Sequence, residues 1–155
     1  MMRGKNLVME MDFTIREFIP DDYVDIYRLN REELGYEYPL ESTKEKLLRL
    51  NVSNSDKIYV ALIGDEIAGY IHASDYDVTY APHMKNIMGI AVSGKYRRRG
   101  VGRALLESVE TWAKETGAKG VRLVSGEART DAHTFYHNCG YVGEKKQLNL
   151  KKMLE

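Results

Sequence analysis

The sequence predicts an α/β protein with a mixed, mostly antiparallel central sheet and helices on both of its faces. Two observations support this class. Short apolar runs of strand length alternate with amphipathic segments of helical length, and the longest helical segment separates the fourth predicted strand from the fifth. A helix in that place makes a right-handed crossover, so we expect the fifth strand to lie parallel to the fourth. The length of 155 residues fits one domain, which we place at residues 11–155 after a flexible extension of residues 1–10.

The first third of the chain is expected to form one strand and two helices. Alternating apolar and polar residues in DFTIREFIP predict a strand that ends at Pro20. The segment DDYVDIYRLNREEL has apolar residues near helical spacing, and Gly35 ends it. Ser42 and Glu45 have the spacing of a capping box, so we expect the second helix to begin at Ser42.

Three strands and a long helix are expected to follow. The apolar runs on either side of Gly64-Asp65 predict a hairpin, because both residues accept the backbone angles of a tight turn. The run NIMGIAV, residues 86–92, predicts a further strand, and we expect these three strands to be antiparallel. Apolar residues at every third or fourth position predict a helix from about Gly100 to Thr116, which Gly117 ends.

The last part of the chain is expected to add a strand, a short helix and one or two closing strands. The segment GVRLVSG has the composition of a buried strand. Thr130 is the expected N-cap of the short helix, and Gly140 is its expected C-cap. The final segment, YVGEKKQLNLKKML, predicts one or two strands that close the sheet.

Composition and charge argue against several classes of protein. The net charge is zero and the pI is about 6.9, so we expect no broad basic face for nucleic acid. The single cysteine, Cys139, excludes an internal disulfide and argues against a zinc cluster, and we expect it to pack. No apolar run reaches the roughly 20 residues that span a bilayer, and the N-terminus has no long apolar core of a signal peptide. We therefore expect a cytoplasmic protein with no metal and no membrane partner.

The segment GKYRRRGVGRALLE concentrates positive charge at the start of the long helix, where the helix dipole is already positive. The first N–H groups of a helix have no intrahelical partner, and glycines at positions 100 and 102 let a bulky anion approach them. A phosphate or diphosphate fits such a site. The segment lacks the Gly-Lys-Ser/Thr ending of a nucleoside-triphosphate loop, and Leu105 stands where a dinucleotide fingerprint has its third glycine.

Two motifs in this chain resemble the signatures of the GNAT-type N-acetyltransferase superfamily. Residues 97–102, Arg-Arg-Arg-Gly-Val-Gly, match the pattern Arg/Gln-x-x-Gly-x-Gly/Ala. Residues 132–141, AHTFYHNCGY, match the pattern Ala-x-x-Phe-Tyr-x-x-x-Gly-Phe/Tyr. A helix and one strand separate the two motifs, as in the family. The resemblance covers about residues 12–151, and it implies a sheet whose fourth and fifth strands splay apart.

The resemblance implies that acetyl-CoA is the acetyl donor. In the family, the amides of the first motif hold the diphosphate, here at residues 98–104, and the fourth strand pairs with the pantetheine arm. Arg129 stands where many relatives have an asparagine that touches this arm, and we expect it to reach the phosphates instead. The cofactor-binding residues implied in this way are Ile90, Ala91, Val92, Arg97, Arg98, Arg99, Gly100, Val101, Gly102, Arg103, Ala104 and Arg129.

The resemblance also implies a direct transfer of the acetyl group to an amine. Tyr136 occupies the position of the family's tyrosine that protonates the leaving thiolate, and the backbone of Ile90 or a neighbour is the expected oxyanion donor. Many relatives carry a carboxylate base on the fourth strand, whereas this chain has Met88 and Gly89 there. The remaining candidates for the general base are Glu33, His72, Asp75, Asp77, His83 and Glu127.

Two other functions remain open. The missing carboxylate leaves room for a catalytically impaired acyl-CoA-binding sensor, and the basic segment leaves room for a nucleic-acid-binding module, which the neutral net charge disfavours. For an acetyltransferase, the acidic and tyrosine-rich segments predict a cationic acceptor amine. Relatives commonly dimerise through their last strands, so a homodimer is also an open expectation. The carboxylates that favour a cation are Glu32, Glu33, Glu37, Asp75 and Asp77.

Overall fold

The structure is a computed structural model that describes residues 12–155, and the predicted extension of residues 1–10 lies outside the described residues. The chain divides into two compact units, of which the first ends at Leu123 and the second comprises Val124–Glu155. The strands of the first unit are β1 (Thr14–Glu17), β2 (Asp56–Ile63), β3 (Glu66–Val78), β4 (Ala81–Val92) and β5 (Val121–Arg122). Its helices are α1 (Tyr23–Leu34), α2 (Leu40–Asn51) and α3 (Val101–Glu115), and the second unit contains α4 (Thr130–Asn138).

The five strands form one sheet in the order β1-β2-β3-β4-β5. The first four strands are antiparallel neighbours, and β5 pairs with β4 in parallel. The helix α3 connects these two parallel strands, which is the crossover that the sequence predicts. Gly64, with a φ of 61°, lies in the turn between β2 and β3 at the predicted place. The predicted mixed α/β class and the antiparallel central strands are therefore confirmed.

Helices cover both faces of the sheet, because successive side chains of a strand point to opposite faces. On one face, residues of β2, β3 and β4 form a core with α1 and α2. On the other face, Leu105 of α3 lies against Gly69 of β3. A Cβ added at Gly69 would lie 3.4 Å from Leu105 Cδ1 and 2.7 Å from the Ala91 carbonyl oxygen, so only glycine fits there. The core beneath α1 and α2 contains Ile26, Leu29, Leu47, Ile58, Val60, Tyr70 and Ala91.

The second helix begins earlier than the capping-box pattern predicts. Its first residue is Leu40 and its N-cap is Pro39, so Ser42 lies inside the first turn and the predicted cap is wrong. Proline favours a helix start because its φ is fixed and it has no N–H to leave unsatisfied. The backbone N–H and the hydroxyl of Thr43 both donate to the Pro39 carbonyl, at 2.8 and 3.0 Å, which closes the first turn around the proline.

The short helix α4 of the second unit has different caps from those predicted. Arg129 is its N-cap and Cys139 is its C-cap, so the predicted caps at Thr130 and Gly140 are each wrong by one position. Gly140 still has a φ of 94°, and its N–H donates to the His137 carbonyl at 3.0 Å. A glycine at this position therefore ends the helix by the left-handed backbone that glycine adopts readily.

The strands predicted after α4 are not formed. No strand follows α4 in the part of the chain that the structure describes, so the prediction for YVGEKKQLNLKKML is wrong. A strand needs a neighbouring edge to satisfy its backbone groups, and a sequence pattern alone does not supply one. Val142, Leu148 and Leu150 are accordingly exposed. The strand predicted for GVRLVSG is also shorter, since β5 is only Val121–Arg122. A single domain at residues 11–155 and a homodimer stay predictions.

Candidate functional site

The basic turn, residues 94–100, leads from β4 into α3. It begins with a 3-10 turn at Gly94–Tyr96, continues through Arg98 with a φ of 66°, and ends at Gly100 with a φ of 84°. A non-glycine residue with positive φ is strained by about 1–2 kcal/mol. Such strain concentrates where a backbone must hold a particular shape for a ligand. The turn is therefore a candidate ligand site on the geometry of its backbone.

The N-terminus of α3 has no acidic group or capping side chain of its own. Gly100 is the N-cap and supplies no side chain, and the first turn of the helix contains no acidic residue. The first helical hydrogen bond runs from the Ala104 N–H to the Gly100 carbonyl at 3.0 Å, so the N–H groups of the first turn point out of the helix end. Together with the helix dipole, these groups form a site complementary to an anion.

Carboxylates hold two of the three consecutive arginines of the basic turn. Arg97 Nη2 donates to Glu33 Oε1 at 2.8 Å, and the other oxygen of Glu33 accepts the Gly94 N–H at 3.0 Å. Arg99 Nη1 donates to Asp12 Oδ2 at 2.9 Å. These bonds fix the path of the turn, and they also explain how the chain tolerates so much positive charge there.

Glu66 of β3 anchors the start of the same turn. Its Oε1 accepts hydrogen bonds from the Tyr96 hydroxyl at 2.6 Å and from the Lys95 ammonium at 3.3 Å. These bonds lower the pKa of Glu66, and hydrogen bonds to Tyr96 and Glu66 raise the pKa of Lys95. Within residues 12–155, Arg98 makes no ion pair with a carboxylate. Its side chain is thus the basic group of the turn that an anion can use without breaking an ion pair.

The strand β4 extends well beyond its pairing with β5. The parallel ladder ends at the pair Asn86 and Arg122, whereas β4 continues to Val92. From residue 87 onward, β5 therefore does not cover this edge of β4. The pairing ends here because β5 ends, which leaves the rest of β4 without β5 as a neighbour, as a sheet with splayed fourth and fifth strands requires.

A β-bulge lies in β4 just beyond the end of its pairing with β5. The pairing with β3 passes from His72–Gly89 to Ala73–Ile87, so Met88 is left out of the register. A bulge bends its strand and increases the local twist, so β4 bends just beyond its pairing with β5. Gly89 next to Met88 is therefore part of a bulge, one of the explanations that a glycine in a strand allows.

The backbone of Ile90 and Val92 faces the edge of β4 that β5 leaves unpaired, which is called the uncovered edge below because β5 does not cover it. The Ser93 N–H donates to the Ala68 carbonyl of β3 at 2.8 Å. Because successive N–H groups of a strand point to opposite edges, those of Val92 and Ile90 point away from β3 and that of Ala91 points toward it. Two of the three residues predicted to pair with pantetheine thus present backbone groups at the uncovered edge, and Ala91 does not.

Three of the candidate bases form ion pairs with one another or with a lysine at the far end of the β3–β4 hairpin. Lys85 is buried, contacts Asp75, and lies 3.9 Å from the centre of the Trp112 ring. His83 Nε2 lies 3.5 Å from Asp75 Oδ1, and His83 Nδ1 lies 2.9 Å from Asp77 Oδ1. These contacts give Asp75, Asp77 and His83 a structural role.

His72 has a different environment, on the face of the sheet that α1 and α2 cover. It lines a cavity of about 130 Å³ together with Asn30, Lys46 and Tyr70, and its Nε2 lies 2.8 Å from Asp56 Oδ1. Burial raises the pKa of Tyr70 to about 12, although its hydrogen bond to Asn30 has the opposite effect and lowers the pKa. Sequence reasoning missed this cavity, although residues 70 and 72 share one face of a strand by simple alternation.

In the second unit, Tyr136 lies between two other aromatic rings. The ring centre of Phe135 is 5.3 Å from that of Tyr136, and the ring centre of Tyr141 is 6.2 Å from it. Burial raises the pKa of Tyr136, while the charge of Arg129 lowers it by a smaller amount. The hydroxyl therefore keeps its proton at neutral pH, which a general acid requires.

Other residues of interest in the second unit have local structural contacts. His133 Nε2 donates to the Gly126 carbonyl at 2.8 Å, which ties the start of α4 to the preceding turn. Glu127 pairs with Lys146 at 3.0 Å, and both side chains are exposed. Over residues 12–155, no group of three or more His, Cys, Asp or Glu side chains is arranged to hold a metal ion. No helix in that range is long and apolar enough to cross a bilayer.

A family profile and a curated relative that match this chain are both acetyltransferases. The profile of the acetyltransferase (GNAT) family matches residues 23–141, a range that includes the basic turn and Tyr136. An N-alpha-acetyltransferase of Saccharolobus solfataricus is 27% identical over 150 residues, which cover 92% of this chain and 82% of that protein.

Solved structures of acetyltransferases share the fold. An aminoglycoside acetyltransferase from an uncultured soil metagenomic sample, in complex with trehalose, has a TM-score of 0.77 and 20% identity, over 93% of this chain and 97% of that one. An aminoglycoside N-acetyltransferase in complex with CoA has a TM-score of 0.82 and 16% identity, over 92% of this chain and 95% of that one. At such identities these structures support the fold.

Proposed function

This chain belongs to the acetyltransferase (GNAT) family, and we propose that it transfers an acetyl group from acetyl-CoA directly to a primary amine of a small molecule, peptide or protein. One observation supports this proposal most strongly. The uncapped N-terminus of α3 and the uncovered edge of β4 are joined by the basic turn. CoA combines a diphosphate with an arm of amide groups, and these two features are complementary to those two parts.

In this proposal the backbone holds most of the cofactor. The N–H groups of residues 98–104 bind the diphosphate, and each charge-assisted bond contributes about 1.5–3 kcal/mol. The Arg98 side chain adds charge, while Arg97 and Arg99 act mainly by keeping the turn in shape, since their side chains are held by carboxylates. Ile90 and Val92 pair with the pantetheine arm through their outward N–H and C=O groups. The role of Arg129 at the phosphates stays a prediction.

In this proposal two groups of the chain assist the acetyl transfer, the backbone N–H of Ile90 and the hydroxyl of Tyr136. Acetyl-CoA supplies a thioester whose carbonyl carbon an amine can attack. The outward N–H of Ile90 stabilises the oxyanion that develops on the carbonyl oxygen. Tyr136 donates a proton to the leaving sulfur, and its raised pKa keeps that proton available at neutral pH. Direct transfer needs no acyl-enzyme, so Cys139 has no part in it.

The acceptor is an amine, and the structure weakens the expectation that it is a cation. Four of the five carboxylates that favoured a cation already contact basic side chains of this chain: Glu32, Glu33, Asp75 and Asp77. Glu37 makes no ion pair within the described residues and remains the carboxylate that can attract one. We therefore propose a primary amine acceptor whose charge contributes less to recognition than the sequence indicates.

The test is calorimetry with two ligands, followed by a turnover assay. Acetyl-CoA is expected to bind in the micromolar range, and S-acetylpantetheine, which lacks the diphosphate, at least tenfold more weakly. Spermidine, sisomicin and a tetrapeptide with a free α-amino group are then incubated with acetyl-CoA, and the released thiol is measured. Absence of acetyl-CoA binding at millimolar concentration would contradict the proposal.

A catalytically impaired acyl-CoA sensor is the second candidate, because β4 carries Met88 and Gly89 where many relatives have a carboxylate. The two candidates differ in turnover. A sensor binds acetyl-CoA and releases no thiol with any amine of the panel, whereas an acetyltransferase releases thiol with at least one of them.

A further inference from the structure

We infer that the cavity beneath α1 and α2 receives the acceptor amine, and that His72, oriented by Asp56, is the general base that takes its proton. This inference rests on the proposed acetyltransferase function and names the base that the β4 strand lacks. It also limits the acceptor to one whose amine is carried on a narrow arm. Four observations on the described residues support it.

The first observation is the protonation pattern that Asp56 imposes on His72. Burial alone raises the pKa of Asp56, but hydrogen bonds from His72 and Ser53 together hold it below its usual value. Asp56 is therefore ionised at neutral pH and can only accept, so the bond to His72 is donated by Nε2–H. A neutral imidazole with a proton on Nε2 carries its lone pair on Nδ1. Among residues 12–155 no group hydrogen-bonds Nδ1, which leaves that lone pair for a substrate.

The second observation is that Asp56 is itself held in place. Ser53 donates its hydroxyl to Asp56 Oδ2 at 2.8 Å, and the Ser55 hydroxyl lies 3.3 Å from the same oxygen. One carboxylate oxygen thus serves the serines and the other serves His72. A base that is oriented by a fixed carboxylate is the arrangement that proton abstraction requires.

The third observation is position. His72 lies opposite Gly89 in the β3–β4 register, and Gly89 directly precedes Ile90, the proposed oxyanion donor. Directly opposed residues of antiparallel strands are about 4.5–5.5 Å apart between Cα atoms. A Cβ added at Gly89 would lie 3.5 Å from the Tyr70 hydroxyl, which also lines the cavity. Two residues that line the cavity, Tyr70 and His72, therefore lie beside β4, next to the place where the thioester is proposed to lie.

The fourth observation is the size and the lining of the cavity. Its volume of about 130 Å³ is below the roughly 300–1,000 Å³ of pockets that enclose whole ligands, so it admits the amine-bearing end of an acceptor. Ile26, Leu47 and Leu50 give it apolar walls, which favour the uncharged form of an amine. Lys46 of α2 and Tyr38 also face the cavity, and with Asp56 and Tyr70 they are the titratable groups around His72. The ammonium of Lys46 further disfavours a cationic amine there.

The proton and electron count closes without another reactant. His72 Nδ1 accepts one proton from the ammonium form of the acceptor and later releases it to solvent. The freed lone pair on nitrogen forms the N–C bond to the acetyl carbonyl. The C–S bond breaks with its electron pair on sulfur, and the sulfur leaves as a thiol after gaining a proton from Tyr136. The nitrogen loses its second proton to solvent as the amide forms, and the Tyr136 phenolate takes up a proton from solvent, which restores its hydroxyl.

The test compares His72→Asn with the matched control His83→Asn, using whichever of spermidine, sisomicin and the tetrapeptide the wild-type protein acetylates fastest. We expect His72→Asn to lower kcat at neutral pH by roughly 10²–10⁴-fold, the usual contribution of a general base. The loss of kcat in His72→Asn is expected to become smaller as the pH rises toward the pKa of the amine, because more of the amine then binds already deprotonated. His83→Asn keeps the wild-type profile. Both variants are expected to bind acetyl-CoA with unchanged affinity.

A pH profile of His72→Asn that runs parallel to the wild-type profile would overturn the assignment of the base. A second readout needs no activity: in the ¹⁵N spectrum of histidine-labelled protein, His72 is expected with its proton on Nε2, and Asp56→Ala, which removes the acceptor, is expected to abolish this preference. A wild-type proton on Nδ1 would also overturn the inference. If the wild-type protein does not bind acetyl-CoA, or acetylates no amine of the panel, the proposed function is wrong and the inference falls with it.

Discussion

Glu33 of α1 and Arg97 of the basic turn form an ion pair with a separation of 2.8 Å, although they are 64 positions apart in the sequence. Arg97 is 63% exposed in its side chain, whereas Glu33 is only 16% exposed. The pair therefore connects the helix that borders the proposed acceptor cavity with the turn proposed to hold the cofactor. It is a contact that neither segment reveals by itself.

We expect this pair to contribute modestly to stability. A double-mutant cycle with Glu33→Gln and Arg97→Gln is expected to give a coupling of about 0.5–1 kcal/mol in the free energy of unfolding, because solvent screens the exposed arginine. Urea denaturation of the four proteins measures it. A coupling of zero within error would show that the contact does not hold the turn.

Gly69→Ala is expected to destabilise the protein by about 1–3 kcal/mol, since the new methyl group would overlap the Ala91 carbonyl oxygen in the middle of the sheet. Gly89→Ala is the control, because its methyl group meets only an ordinary contact of 3.5 Å with Tyr70. Urea denaturation compares the two. Equal destabilisation of both variants would contradict the close approach described between Gly69 of β3 and the Ala91 carbonyl of β4.

Gly100→Ala is expected to weaken acetyl-CoA binding about tenfold, because a side chain strains the left-handed backbone that presents the first N–H groups of α3. Gly117→Ala is the control at the other end of the same helix. Its φ of 78° imposes similar strain, and it lies away from the proposed cofactor site. Calorimetry measures binding and urea denaturation measures stability. If both variants lost the same affinity, the effect would be on general stability rather than on the anion site.

Tyr136→Phe is expected to lower kcat by roughly 10²-fold and to leave acetyl-CoA affinity nearly unchanged, because it removes a proton donor and little volume. An acid with a raised pKa acts below that pKa and loses its proton as the pH rises through it. The wild-type kcat is therefore not expected to fall on this account until the pH exceeds 10.0, the ordinary pKa of tyrosine. Tyr80→Phe, at an exposed position, is the control. Unchanged turnover in Tyr136→Phe would remove this residue from the mechanism.

Much of the fold could be predicted from local patterns. The hairpin at Gly64-Asp65, the helix α3 and the parallel pairing after it follow from turn chemistry, periodicity and the handedness of crossovers. The start of α2 could not, because Pro39 and the capping pattern at Ser42 compete over one turn of helix. The final strands failed for a different reason, since a strand forms only where another edge accepts it.

The sequence by itself determined most of the helices and strands, their order and the prediction of an anion site at the basic turn, because backbone preference, periodicity and helix-end N–H groups act over a few residues. Only the tertiary structure decided which carboxylates hold the arginines, where the bulge of β4 lies, and how His72 comes to share a cavity with Asn30 and Lys46. These relationships join residues that are distant in the chain, so packing and strand register create them. In the sequence, His72 is one of six equally supported candidates for the general base. Its neighbours in space are what distinguish it from the other five.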